Sequence, residues 1–189
     1  MRITGGQARG ILLTLPKGDA VRPATDALRQ AVFSSLAARV AGARFLDLFA
    51  GSGAYGLEAL SRRAASGVFV EKNAQTAEFI RRNLAAVCKS LGRPAEDVQV
   101  VVADATTTMP GAAPDLVFID PPYEIIPEVA PKLFARLDEL LAVQPDPLIV
   151  FEMPGELNLT PAGWTCVKRL GKGQRQPTAA IFKANRALP

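Results

Sequence analysis

From residue 45 onward, short unbroken apolar runs alternate with stretches whose apolar positions recur at helical spacing. Phe45-Leu46-Asp47-Leu48-Phe49 reads as a strand that ends in Gly51-Ser52-Gly53, and a helix follows over 54–63. Residues 67–71 predict a second strand, 74–90 a helix, and 98–103 a third strand closed by Asp104. Residues 115–119 predict a fourth, closed by Asp120-Pro121-Pro122-Tyr123. A helix over about 128–142 then leads to a fifth strand at 148–151. Two last strands fall near 164–170 and 178–184, joined by the basic turn Gly171-Lys172-Gly173. This alternation predicts an α/β fold: a mostly parallel sheet with helices on both faces and a C-terminal antiparallel hairpin. Before it, residues 2–4 and 10–15 read as a small β-hairpin, and Thr25 reads as the N-cap of a helix carrying Leu28, Val32, Phe33 and Leu36. Residues 1–40 are thus expected as an N-terminal extension on an α/β domain of 41–189.

Composition narrows the chemistry. A chain of 189 residues with 49% hydrophobic and 21% charged residues suits one folded domain. No apolar run is long enough to cross a membrane, and Met1-Arg2-Ile3-Thr4-Gly5-Gly6 has no signal-like apolar core, so no membrane role is expected. Histidine is absent, which removes the Ser-His-Asp triad and the HExxH zinc helix. Cys88 and Cys166 stand far apart, so neither a disulfide framework nor a metal site is expected, and a reducing, cytoplasmic location fits. The net charge of +4 is uneven: Arg2, Arg9, Arg22 and other cations dominate residues 1–44, and residues 157–189 carry six cations and no acid. Two basic ends around an acidic centre suit a polyanionic partner, or simply a solvated surface.

The candidate chemistry sits at the carboxyl ends of the strands, where open parallel sheets bind ligands. Gly51-Ser52-Gly53-Ala54-Tyr55-Gly56 matches GxGxxG, and Glu71 ends the next strand, placed to accept ribose hydroxyls. Alone, that pattern describes NAD binding as well as S-adenosylmethionine (AdoMet) binding. Asp47, inside the strand before the glycines, favours the cationic ligand, because a pyrophosphate would be repelled. Asp104, followed by Ala105, can accept from an adenine amino group or act as a helix N-cap. Asp120-Pro121-Pro122-Tyr123 forms a stiff extended elbow, since both Asp120 and Pro121 precede proline. A carboxylate, a carbonyl and an aromatic ring in that order suit a planar amine: Asp120 and the Pro121 carbonyl take its two protons and Tyr123 stacks on its ring.

These residues carry a resemblance. Asp120-Pro121-Pro122-Tyr123 resembles the motif of amino-group methyltransferases, and Leu46-Asp47-Leu48-Phe49-Ala50-Gly51-Ser52-Gly53 resembles their AdoMet loop. With Met1-Arg2-Ile3-Thr4-Gly5-Gly6, Arg22-Pro23-Ala24-Thr25-Asp26 and Leu57-Glu58-Ala59-Leu60-Ser61-Arg62, the chain is similar to the bacterial 16S rRNA guanine-N2 methyltransferases (RsmD-like). The resemblance implies a class I, Rossmann-like methyltransferase fold with AdoMet as cofactor. It implies a guanine N2 amine of 16S rRNA as substrate, within an assembled or assembling small ribosomal subunit. Asp47, Phe49, Gly51, Ser52, Gly53, Glu71, Asp104 and Ala105 would hold the cofactor, and Asp120, Pro121 and Tyr123 the reacting base. Arg2, Arg9, Arg22 and Thr25 would meet RNA. Tyr55 stands where the family usually has leucine, Arg63 where it often has glycine, and Gln176-Pro177-Thr178 where many members have Tyr-Gly-Asp-Thr. The readings still open are an amino-group methyltransferase for another RNA or DNA, a protein-glutamine methyltransferase (which the basic ends suit less well), an NAD(P)-dependent oxidoreductase, and a catalytically silent RNA-binding assembly factor.

Overall fold

The computed structural model describes residues 1–15, 25–109, 112–171 and 176–186. Arg22 and most of the basic turn after Gly171 lie outside them. In chain order the elements are α1 (Asp26–Leu36), a 3-10 turn (Ala37–Arg39), β1 (Arg44–Leu48), α2 (Ala54–Ser61), β2 (Ser66–Glu71), α3 (Ala74–Leu91) and β3 (Val98–Val102). Then come β4 (Leu116–Ile119), a second 3-10 turn (Tyr123–Ile125), α4 (Ile126–Leu140), β5 (Leu148–Pro154), β6 (Trp164–Leu170) and β7 (Pro177–Ala184).

All seven strands form one sheet in the order β3-β2-β1-β4-β5-β7-β6. β3, β2, β1, β4 and β5 run parallel; β7 is antiparallel to β5, and β6 to β7. This is the predicted architecture. Strand order reverses between β1 and β4, so a crevice opens there, beyond the carboxyl ends of the strands.

Alternation of side chains splits the core into two layers. Phe45, Phe69, Phe118, Val150 and Ile181 face α1, α2 and α3. Leu46, Leu48, Val117, Ile119, Ile149, Phe151 and Phe182 face α4. Gly56 lets α2 lie close on the first layer: a Cβ there would sit 2.4 Å from the Phe69 ring and 2.5 Å from the Phe45 ring.

The N-terminal segment shares that first layer, through Ile3, Ala8 and Leu13. The expected hairpin is present as a short one, with a single antiparallel bridge, Arg2 with Leu12, and backbone bonds from Ile3 N–H to Ile11 O (2.9 Å), Gly10 N–H to Ile3 O (2.9 Å) and Leu13 N–H to Met1 O (3.2 Å). Its strand end and turn are held by side chains of α2: Thr4 N–H donates to Glu58 Oε2 at 2.7 Å and Ala8 N–H to Ser61 Oγ at 2.9 Å. Thr25 does cap α1, its Oγ1 accepting from Leu28 N–H at 3.1 Å. β5 extends past the predicted end at Phe151, because β7 pairs with Glu152, Met153 and Pro154. Helix α4 starts at Ile126, earlier than predicted, because Pro127 falls in its first turn, where a missing N–H costs nothing.

Candidate active site

A cavity of about 900 Å³ opens at the β1–β4 crevice. The turn after β1, the ends of β2 and β3, and the elbow after β4 all contribute to its wall. Asp47, Phe49, Gly51, Ser52, Glu71, Asp104, Ala105, Asp120, Pro121 and Tyr123 all line it. Two groups of motifs, separate in sequence, therefore share one space.

Gly53 lies just behind that wall rather than in it. It takes a left-handed conformation (φ +77°) as the N-cap of α2, its N–H donates to Ala50 O at 2.7 Å, and a Cβ there would point at Ile80, Leu57 and Phe69. Its work is to turn the chain into the helix. Thr25, Arg2 and Arg9 also stand outside the cavity wall. Arg2 and Arg9 are exposed, and Arg2 lies 3.7 Å from Asp26. Met1 touches the wall indirectly, its Sδ accepting from Ser52 Oγ at 3.3 Å.

Asp47 is buried, and its Oδ2 accepts from Gly56 N–H at 2.9 Å. Burial nonetheless pushes its carboxyl up to about 8, the Gly56 hydrogen bond opposing and the nearby Glu71 charge adding to the rise. Glu71 is shared between two backbone donors: Oε2 accepts from Gly51 N–H at 2.9 Å and Oε1 from Asn73 N–H at 2.8 Å. Each oxygen keeps further acceptor capacity for a hydroxyl. Asp104 is more occupied than expected. Thr106 donates its N–H (2.9 Å) and hydroxyl (2.6 Å) to Oδ1, and Lys72 Nζ lies 2.8 Å from Oδ2. These partners, Lys72 first, hold the Asp104 carboxyl down at about 2. An adenine amino group would have to share Oδ2 with Lys72 or displace it. The lysine is exposed, so displacement is cheap.

Asp120 directly follows β4, and its N–H reaches Leu48 O at 3.4 Å. Desolvation and the charges of Glu152 and Asp47 hold its carboxyl well above the usual carboxylate range. Among the described residues no hydrogen bond reaches the Asp120 carboxylate or the Pro121 carbonyl, so both acceptors are available to a ligand. Half-buried Tyr123 opens the 3-10 turn that follows.

Two participants were missed in the sequence. Tyr55 lines the cavity, and its hydroxyl donates to Glu152 Oε2 at 2.9 Å. Both are buried. The one available signal was Tyr55 itself, a residue the family does not usually carry there. Glu152 gave none, because only pairing with β7 places it inside the sheet.

The residues fit AdoMet. Its ammonium and sulfonium are cations, and Asp47, Asp120 and the buried Glu152 beside them leave the crevice rich in carboxylates. A dinucleotide pyrophosphate fits badly, since the α2 N–H group of Gly56 already serves Asp47, and Asp47, Glu71, Asp104, Asp120 and Glu124 all line the same wall. Among the described residues no cluster of His, Cys, Asp or Glu is arranged to hold a metal ion, and no helix is long and apolar enough to cross a membrane.

The fold is that of a class I methyltransferase, with the glycine turn and the Asp120-Pro121-Pro122-Tyr123 elbow lining one cavity at its switch point. The family model described as "Conserved hypothetical protein 95" matches residues 1–180, and the chain belongs to that family, the RsmD family. It is 39% identical over 125 residues to ribosomal RNA small subunit methyltransferase D of Escherichia coli; the match covers 65% of this chain and 60% of that protein. It is 31% identical over 178 residues to the protein of the same name from Haemophilus influenzae, covering 92% of this chain and 89% of that one. A solved E. coli structure, yhhF, provisionally described as a methyltransferase, superposes with a TM-score of 0.78 at 30% identity and covers 99% of each chain.

Proposed function

We propose that this protein transfers a methyl group from AdoMet to the exocyclic N2 amine of a guanine in small-subunit (16S) rRNA. The observation that carries this reading is that Asp120, Pro121 and Tyr123 share one cavity wall with Asp47, Gly51 and Glu71. The relatives named for methylating small-subunit rRNA support the substrate class.

Glu71 would hold the ribose hydroxyls, Asp47 and the turn at Gly51 the amino-acid end, and Asp104 with Ala105 the adenine. Bound AdoMet supplies an electrophilic methyl on a sulfonium. The protein's task is to present a poor nucleophile, because the guanine amine is conjugated with its ring. Asp120 and the Pro121 carbonyl each accept one amine proton, which orients the nitrogen lone pair and offsets the positive charge developing on nitrogen. As the N–C bond forms and the S–C bond breaks, one amine proton passes to Asp120 or to water. Tyr123 holds the base by stacking, worth ~1–3 kcal/mol. An unpaired base in an assembling subunit enters such a pocket at less cost than one in a helix.

The exposed Arg2 and Arg9 are the proposed phosphate contacts, with Arg22 and Thr25 beside them in sequence. Among the described C-terminal cations, Arg186 lies 2.7 Å from Asp138, Lys183 lies 3.1 Å from Asp146, and Arg169 donates to the Gly155 and Leu157 carbonyls, while Lys168 is exposed. We place RNA docking on the N-terminal side, where Arg2 and Arg9 are exposed.

Titration calorimetry with AdoMet and with NAD(H) tests the cofactor assignment. Binding of AdoMet alone supports it; binding of NAD(H) without AdoMet ends it.

A further inference from the structure

Glu152 is a buried acid with no part in the mechanism above. It closes the row of acids beside the reacting elbow. Ile119 of β4 pairs with Leu48 of β1 and Phe151 of β5. Asp120 and Glu152, one residue further along, are therefore neighbours across the sheet. Asp47 pairs with Phe118 and so shares its sheet face with Asp120, two residues beyond Phe118. Three carboxyl groups thus lie at or near the carboxyl ends of three adjacent strands, on one face.

Their surroundings differ. Asp47 accepts from Gly56 N–H and Glu152 from the Tyr55 hydroxyl, both at 2.9 Å. Tyr55 is itself fixed, with its ring stacked on Phe118 at a centroid distance of 5.3 Å. Around this row stand Glu71 on β2, Arg29 on α1, Tyr55 on α2, and Tyr123 and Glu124 on the 3-10 turn; β7 presents the uncharged Ala179 opposite Glu152. Arg29 lies 2.8 Å from Asp26 and 3.5 Å from Glu58, so its charge is divided among several acids. Three carboxylates on adjacent strands, Asp47 and Glu152 buried and Asp120 partly so, repel one another too strongly to be ionised together.

We propose that Glu152, clamped by the Tyr55 hydroxyl, is a positioning residue for Asp120: the two share a proton until a cation enters the crevice, and its departure to solvent leaves Asp120 an acceptor for the substrate amine. No bond other than O–H breaks, and the proton goes to the buffer. Burial supports the assignment, holding Glu152 at about 7 while the Tyr55 hydrogen bond pulls the other way. The inference rests on AdoMet binding in this cavity, and it assigns a role to the buried Tyr55 hydroxyl.

The experiment is calorimetry of AdoMet binding to the whole protein at pH 7, in two buffers of different ionisation enthalpy, which counts the protons released. The wild type releases protons on binding. Glu152→Gln releases fewer, by about half a proton, because one titrating partner is gone. Tyr55→Phe keeps the ring on Phe118 but loses the donor that favours ionised Glu152. It starts with more bound proton and releases more. The opposite signs separate the proposal from simple damage to the fold, and Tyr55→Phe alone decides if Glu152→Gln does not fold. Equal proton counts for wild type and Tyr55→Phe overturn the inference while leaving the methyltransferase reading intact. Failure of the wild type to bind AdoMet overturns both.

Discussion

The backbone N–H of Gly56 donates to the Asp47 carboxylate across 2.9 Å, tying the first turn of α2 to the end of β1 behind the cofactor turn. One glycine thus does two jobs. It brings the helix onto the sheet, and it supplies a backbone donor to a buried acid.

The pH dependence of stability follows from Asp47. Its folded value, about 8, lies above its model-compound value of 3.8, so the unfolded chain ionises first. Between those limits the folded state binds more protons, and stability falls as pH rises. We expect the melting temperature of the cofactor-free protein to fall between pH 5 and 8, and to fall less in Asp47→Asn. The same variant should bind AdoMet more weakly. Equal pH slopes for the two proteins would show that Asp47 is not the buried acid responsible.

Gly56→Ala should be costly for a surface-free reason. The added Cβ meets two phenylalanine rings at 2.4–2.5 Å, so α2 must retreat. Overpacking of this kind costs about 1–3 kcal/mol. Denaturant unfolding should show that loss, and AdoMet affinity should drop with it, because the retreat carries the Gly56 N–H away from Asp47. A variant with native stability and affinity would place Gly56 outside this role.

Much of this was legible in the chain. Strands β1 to β4 declare themselves as apolar runs, and each ends in the residues that line the cavity, because a parallel sheet puts all those ends on one edge. What was not legible depends on partners distant in sequence. Glu152 reads as a polar stop after Phe151, yet β7 draws it into the sheet. The N-terminal hairpin pattern is local and legible, but its anchoring by Glu58 and Ser61 on α2, more than fifty residues away, is not. Gly53 looks like a ligand-approach glycine, yet its missing side chain makes room for Ile80 and Phe69. The basic C-terminal run reads as a polyanion contact, and the ion pairs of Arg186 with Asp138 and Lys183 with Asp146 within it depend on acids some forty residues away in sequence.

For the N-terminal docking surface, neutralising Arg2 and Arg9 together should raise the rRNA concentration needed for half-maximal methylation. AdoMet affinity should stay unchanged, since neither side chain lines the cavity. The salt dependence of RNA binding should also become shallower, each lost phosphate contact reducing the slope by about one. An unchanged RNA requirement and salt slope would move the docking surface elsewhere.

The most direct measurement is nucleoside mass spectrometry of small ribosomal subunits lacking this modification, after incubation with the purified protein and methyl-labelled AdoMet. The wild type should place label in N2-methylguanosine of 16S rRNA. Asp120→Ala should bind AdoMet within a few-fold of wild type and yield at least about a hundredfold less product, the scale of a lost positioned acceptor. Label in a different nucleoside, or undiminished transfer by Asp120→Ala, would contradict the account.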